Sequence, residues 1–171
     1  MILDILLLLV LIICTITDIR ERKIYNKIIF PSLAVTILWH TMEAGWAGLG
    51  TSLLGFVMGL LLLLIPFMLG GMGAGDVKLL ALIGAIKGYA FVLTTAVYMA
   101  LIGGTIAIVI LSRKDAWNII RSLGYYLSAI QCGMKVPLVA LDSQNMKTTY
   151  PYGVAIALGA VISLFTKGWL L

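Results

Sequence analysis

The sequence predicts an all-α fold: a polytopic bundle of six transmembrane helices forming a single membrane-embedded domain over residues 1–171. Composition is the first observation behind this. Apolar residues make up 62% of the chain, and 18 glycines raise the share further, to roughly 72% against about 45–50% in soluble domains. The second is that only 11% of residues are charged and the mean hydropathy is +1.12. Length is the third: at about 20 residues per crossing, six helices use roughly 120 residues and leave about 50 for loops. A soluble enzyme core, a coiled coil and a disordered chain are excluded by the same figures.

Apolar runs mark the crossings in order: Ile2 to Thr17, Ile28 to Met42, Leu49 to Leu69, the stretch Val77 to Leu111, and Tyr152 to Phe165. The shorter runs are at the low end for a bilayer, so their helices extend into the flanking loops. The first run, which opens Ile2-Leu3-Asp4 directly after Met1, lacks the basic region and small-residue cleavage site of a secretory signal, so it reads as a retained span. Breaks fall at Asp18 to Lys27, Glu43 to Gly48, Gly70 to Gly75 and Ser112 to Tyr150. The stretch Val77 to Leu111 is long for one helix and tight for two, with Lys87-Gly88 as its one turn signal.

Charge decides between one crossing and two. With two, the loops holding Asp18, Asp76 and residues Ser112 to Tyr150 share one side. That side collects Arg20, Arg22, Lys23, Lys27, Lys78, Arg113, Lys114, Arg121, Lys135 and Lys147, leaving only Lys87 and Lys167 opposite. This split obeys the positive-inside rule and predicts both termini outside, with the basic loops in the cytoplasm. The net charge of +5 is therefore an orientation signal, and no nucleic-acid partner is implied. In the long loop, Ala116, Ile120, Leu123, Leu127, Ile130 and Met134 fall on one helical face accompanied by Arg113, Lys114, Arg121 and Lys135. A helix over about 113–135 results, either lying on the anionic headgroups of membrane lipids or packed on the bundle. Cys14 and Cys132 are far apart, and no CxxC pair or His cluster occurs, so neither a metal site, a cofactor nor a disulfide framework is expected.

The seven carboxylates separate by position. Asp4 and Glu43 sit at outer helix ends, Glu21 stands among basic residues, and Asp115 and Asp142 belong to the polar loop; all five read as solvated or paired charges. Asp18 and Asp76 each abut an apolar span at the same membrane face, where an ionisable group is a functional candidate. Four glycines in Gly70-Gly71-Met72-Gly73-Ala74-Gly75 leave the backbone before Asp76 open to close approach. Asp76 then stands near a helix N-terminus, which favours its charge, and Asp18 near a helix C-terminus, which favours its protonated form. Two carboxyls brought together can share one proton, the arrangement of an aspartic peptidase.

Gly73-Ala74-Gly75-Asp76 with Lys78-Leu79, preceded by Asp18-Ile19-Arg20-Glu21-Arg22-Lys23-Ile24-Tyr25-Asn26, resembles the two signature segments of the prepilin peptidases, membrane aspartic peptidases of the GxGD class. Tyr150-Pro151-Tyr152-Gly153 with Val154 to Gly159 is similar to that family's closing Pro-aromatic-Gly segment. The resemblance implies that Asp18 and Asp76 are the catalytic pair and that Gly73 and Gly75 shape the site. Lys78 joins them as a residue that stabilises the Asp76 charge, touches substrate or anchors to lipid headgroups, and Asn26, with Tyr25, as one that orders the first loop or caps the second helix. It also implies cleavage of type IV prepilin-like preproteins at the cytoplasmic face of the cell membrane, just before their hydrophobic segment. Tyr25 stands where the family usually has Pro, and the chain has no cysteine pairs. It therefore resembles the short, peptidase-only members found with Tad-type pili and archaella, without methyl transfer.

Two other functions fit the hydrophobicity. A small proton-coupled transporter would place carboxylates near the bilayer midplane and show an internal repeat, and neither is evident. A structural subunit of a secretion machine would leave the glycine-aspartate segment unused. Serine hydrolysis has no Gly-x-Ser-x-Gly elbow, and His40 lies at the far face, where a structural role is expected.

Overall fold

The computed structural model describes residues 2–68, 72–113 and 152–166, and every regular element among them is helical. The helices are α1 (Ile2–Glu21), α2 (Asn26–Met68), α3 (Ala74–Lys87), α4 (Tyr89–Arg113) and α5 (Tyr152–Phe165). The chain divides into two compact units, Met1–Gly103 with Pro151–Leu171, and Gly104–Tyr150. Of the second unit, the described residues are the end of α4. The helix expected over about 113–135 lies beyond Arg113, outside the described residues.

Helix ends follow the glycines. The expected break between the second and third crossings narrows to Ala44 and Gly45 (φ 57°, ψ −137°), which part α2 into arms at 26–43 and 46–68. That conformation at Gly45 is open to glycine and closed to side-chain-bearing residues. Lys87-Gly88 is indeed the turn: Gly88 (φ 89°) donates its N–H to the Gly84 carbonyl at 2.7 Å, ending α3, and α4 starts at the next residue.

Contacts fix the direction of each segment within the first unit. Asp4 at the start of α1 pairs with Lys87 at the end of α3, so the two helices run antiparallel. The first arm of α2 runs with α3, since Asn26 meets Lys78 at one end and His40 meets Ile86 at the other. The second arm runs against it, with Ser52 at Ala85, Gly55 at Gly84 and Gly59 at Ala81. Along α5, Gly153 meets Asp18, Gly159 meets Thr95 and Met99, and Ser163 meets Thr94, so α5 opposes both α1 and α4. The helical segments thus alternate in direction, and Asp18 and Asp76 come to the same end.

The core is α3. Apart from Lys78, every residue from Val77 to Ile86 is buried, as expected of a helix apolar all round. Its closest neighbour is the second arm of α2, where Gly55 and Gly84 face each other so tightly that a Cβ on Gly55 would lie 2.0 Å from the Gly84 carbonyl oxygen. Small residues allow such backbone contact in membrane bundles, where packing replaces the hydrophobic drive. The last carbonyls of α3, which lack intrahelical donors, are satisfied from α2. Ser52 Oγ donates to Ala85 at 3.0 Å and His40 Nε2–H to Ile86 at 3.2 Å, the structural role expected of His40.

The outward faces are apolar. Ile5, Leu38, Leu54 and Leu101 are each more than 60% exposed, a surface that hydrocarbon covers and water does not. Among the described residues, three helical segments, α1, α2 and α4 over Tyr89–Ile106, are long and apolar enough to cross a bilayer. This is a membrane protein.

Candidate active site

Helical spacing delivers Asp18 to the interior. Leu7, Leu11, Cys14 and Asp18 recur at intervals of four, three and four and are all buried along one stripe of α1. Asp18 ends that stripe with 7% of its surface exposed. Arg22 then adopts φ 52°, a left-handed turn that costs a non-glycine residue about 1 kcal/mol, and leads the chain out of α1. Ile24, two residues on, lies against the first turn of α3. A Cβ on Gly75 would sit 2.9 Å from the Ile24 Cβ, so glycine at this position is what lets the loop close onto α3. Tyr25, at the position where Pro is usual in the resembling family, ties the loop down at both ends: its carbonyl accepts the Ile28 N–H at 3.0 Å and its hydroxyl donates to Glu21.

Asp76 is the third residue of α3, which starts after Gly73. Its Oδ2 accepts the Gly73 N–H at 3.2 Å, satisfying a donor that the helix start leaves open. Only 8% of its surface is exposed. The Asp18 carboxyl is held in a parallel manner: its Oδ2 accepts the Gly153 N–H, at the first turn of α5, at 3.0 Å. The expected division of labour by helix ends therefore does not hold. Asp18 does lie in the last turn of α1, but the N-terminus of α5 faces it, so both carboxyls meet a positive helix end.

The two aspartates open onto one cavity of about 370 Å³, lined by Asp18, Arg22, Lys23, Ile24, Tyr25, Asn26, Gly73, Ala74, Gly75 and Asp76. Its volume is at the small end of ligand clefts. Asp76 precedes the apolar run that begins at Val77, and burial, followed by the negative charge of Asp18, pushes its carboxyl up to about 6. A carboxyl raised by burial and by a neighbouring carboxylate retains a proton that a solvated one would lose. Among the described residues, no group of three His, Cys, Asp or Glu side chains is placed to hold a metal ion.

The remaining candidates divide. Gly73, Gly75 and Asn26 line the cavity. Lys78 does not; its ammonium donates to Asn26 Oδ1 at 3.0 Å and lies 5.7 Å from the centre of the Phe30 ring, bracing α3 against the start of α2. Gly153 is absent from the residues that the sequence singles out for the site. The signal lay in the Tyr150-Pro151-Tyr152-Gly153 segment, but nothing in its spacing shows that it meets Asp18.

The Type IV leader peptidase family matches residues 5–108, which include Asp18 and the glycine-aspartate segment with Asp76. The chain belongs to this family. A curated relative, the prepilin leader peptidase/N-methyltransferase of Bacillus subtilis (strain 168), is 34% identical over 96 residues. That alignment covers 54% of the present chain and 38% of the relative, so the chain spans well under half of that protein's length. No solved structure matches the chain. The family match ends before α5, so the contact between Gly153 and Asp18 is a feature of the structure alone.

Proposed function

We propose that this type IV leader peptidase is an aspartic endopeptidase that removes the leader of type IV prepilin-like preproteins at the cytoplasmic face of the cell membrane. The observation that carries this reading is that Asp18 and Asp76, from different helices, line one cavity, each nearly buried and anchored by a glycine N–H. One carboxylate takes a proton from water as its oxygen attacks the scissile carbonyl carbon, while the partner carboxylic acid gives its proton to the carbonyl oxygen. The resulting gem-diol collapses as the leaving nitrogen is protonated, and the pair ends with one proton, as it began. Because the proton belongs to the pair, neither aspartate is assigned permanently as base. The buried α3 core and the apolar outer faces supply a membrane-held scaffold for this chemistry, which a transporter or a passive subunit would not require.

The alternating helix directions and the ten-to-two division of basic residues support six crossings, with both termini outside and the aspartates at the cytoplasmic side. Single cysteines placed at Arg22, Gly71 and Arg121, in a background without Cys14 and Cys132, should react with an impermeant thiol reagent only when it reaches the cytoplasmic face. Labelling of position 121 from outside intact cells overturns the assignment.

The reaction itself needs no metal and no thiol, and the two distant cysteines support a peptidase without methyl transfer. With purified protein in liposomes and a prepilin-type substrate, mass spectrometry should find one cut just before the apolar segment and a free, unmethylated new N-terminus. Strong chelators and thiol-blocking reagents should leave the rate unchanged. Loss of activity in chelator with recovery in zinc would contradict the aspartic mechanism.

A further inference from the structure

Asp18 sits on the last turn of α1, beside the left-handed Arg22, and the α1 backbone alone does not fix its carboxyl. The restraint comes from the first turn of α5, chiefly from Gly153, 135 positions away, with the Val154 N–H beside it. The Gly153 N–H is buried and donates to Asp18 Oδ2 at 3.0 Å. The same carboxyl also occupies the space a side chain would need, since a Cβ on Gly153 would lie 2.6 Å from Oδ2 and 3.0 Å from Cγ. These are independent facts: one concerns the donor, the other the room. Asp76 has the equivalent donor within its own helix start, in Gly73, whereas Asp18 borrows its donor from α5.

We infer that Gly153 is the positioning residue for Asp18, with its N–H fixing one carboxyl oxygen and its missing side chain providing the space in which that carboxyl lies. The inference rests on the aspartate-pair reading and adds α5 to the machinery as the element that aims Asp18 at Asp76. It also gives Gly153 a physical role, because with the Asp18 carboxyl in place the acceptor lies closer to position 153 than any Cβ allows.

The test is steady-state cleavage of a prepilin-type substrate by the full chain in liposomes, expressed per folded molecule. In Gly153→Ala the new methyl displaces the carboxyl, and kcat should fall by at least about tenfold while KM stays within about twofold. Gly159→Ala is the comparator. It lies on the same helix, and its Cβ would crowd Met99 N and Thr95 O at 2.9 Å, yet it faces α4 and should lower thermal stability with kcat unchanged. Replacing residue 153 by glycolate, which exchanges the N–H for an ester oxygen and adds no bulk, should also lower kcat by about tenfold. This substitution decides the matter if Gly153→Ala does not fold. Asp18→Asn is assayed alongside. Wild-type kcat in Gly153→Ala or in the ester, or an equal loss in Gly159→Ala, overturns the positioning role while an inert Asp18→Asn leaves the pair standing. An active Asp18→Asn brings down both.

Discussion

Asp18→Asn and Asp76→Asn should each abolish cleavage of a prepilin-type substrate while leaving the protein folded in the membrane. The amide has nearly the shape of the carboxyl and can still accept the glycine N–H, from Gly153 at position 18 and from Gly73 at position 76. What it cannot do is exchange a proton with water or with its partner. General acid–base catalysis by one group is worth about 10²–10⁴-fold, and the shared proton makes each member depend on the other, so losses of about 10⁴-fold or more are expected from either change. Asp115→Asn and Asp142→Asn, which alter charges in the polar loop, should retain activity, as a general effect of removing a carboxylate would not. A folded Asp18→Asn or Asp76→Asn protein that cleaves well would remove the basis of the peptidase mechanism.

Gly55→Leu should prevent assembly of the bundle, the largest effect on stability expected of any single change. Where α2 crosses α3, the backbones of Gly55 and Gly84 touch, and a Cβ at Gly55 would lie 2.0 Å from the Gly84 oxygen and 2.6 Å from its carbon. Overpacking between side chains costs about 1–3 kcal/mol because rotamers relax. Here the obstacle is main chain in the last turn of the buried helix, so the helices must separate, at a cost of about 3 kcal/mol or more. Thermal unfolding in detergent should show no folded transition, or one lowered far below wild type. Gly50→Leu, on the same arm with no atom within 4 Å of its Cβ position, should be tolerated. Normal stability in Gly55→Leu would contradict the close α2–α3 packing.

Much of this was legible because membrane helices announce themselves by run length and are interrupted by glycine. The turn at Gly88 is predicted from two signals together, Lys87-Gly88 for its place and the charge bias for its existence, and the structure turns at that residue. Helix limits were less legible. α1 continues past Thr17 to Glu21, the extension expected of a short run but not its length, and α2 passes through Glu43 before breaking at Ala44 and Gly45, because backbone hydrogen bonding continues past the apolar residues. Asp18 and Asp76 stood out as carboxylates against apolar runs, and the heptad-like stripe ending at Asp18 was a further signal of its burial. Their shared cavity required tertiary structure, as did three other features: the engagement of Lys78 with Asn26, the Tyr25–Glu21 clasp of the first loop and the approach of Gly153 to Asp18. The first and the last depend on which faces of distant helices meet, which periodicity within one helix does not encode, and the clasp depends on how the chain turns at Arg22.

The central claim is that Asp18 and Asp76 act as one unit around one shared proton, and the double variant tests it most directly. Residual cleavage by Asp18→Asn, Asp76→Asn and the doubly substituted protein should be measured side by side in liposomes, per folded molecule, with single-turnover sensitivity. The account predicts that the three residual rates coincide within about threefold, because the first substitution already removes everything the pair supplies. Partial losses in the single variants that multiply in the double variant would show two carboxyls working independently, and would contradict it.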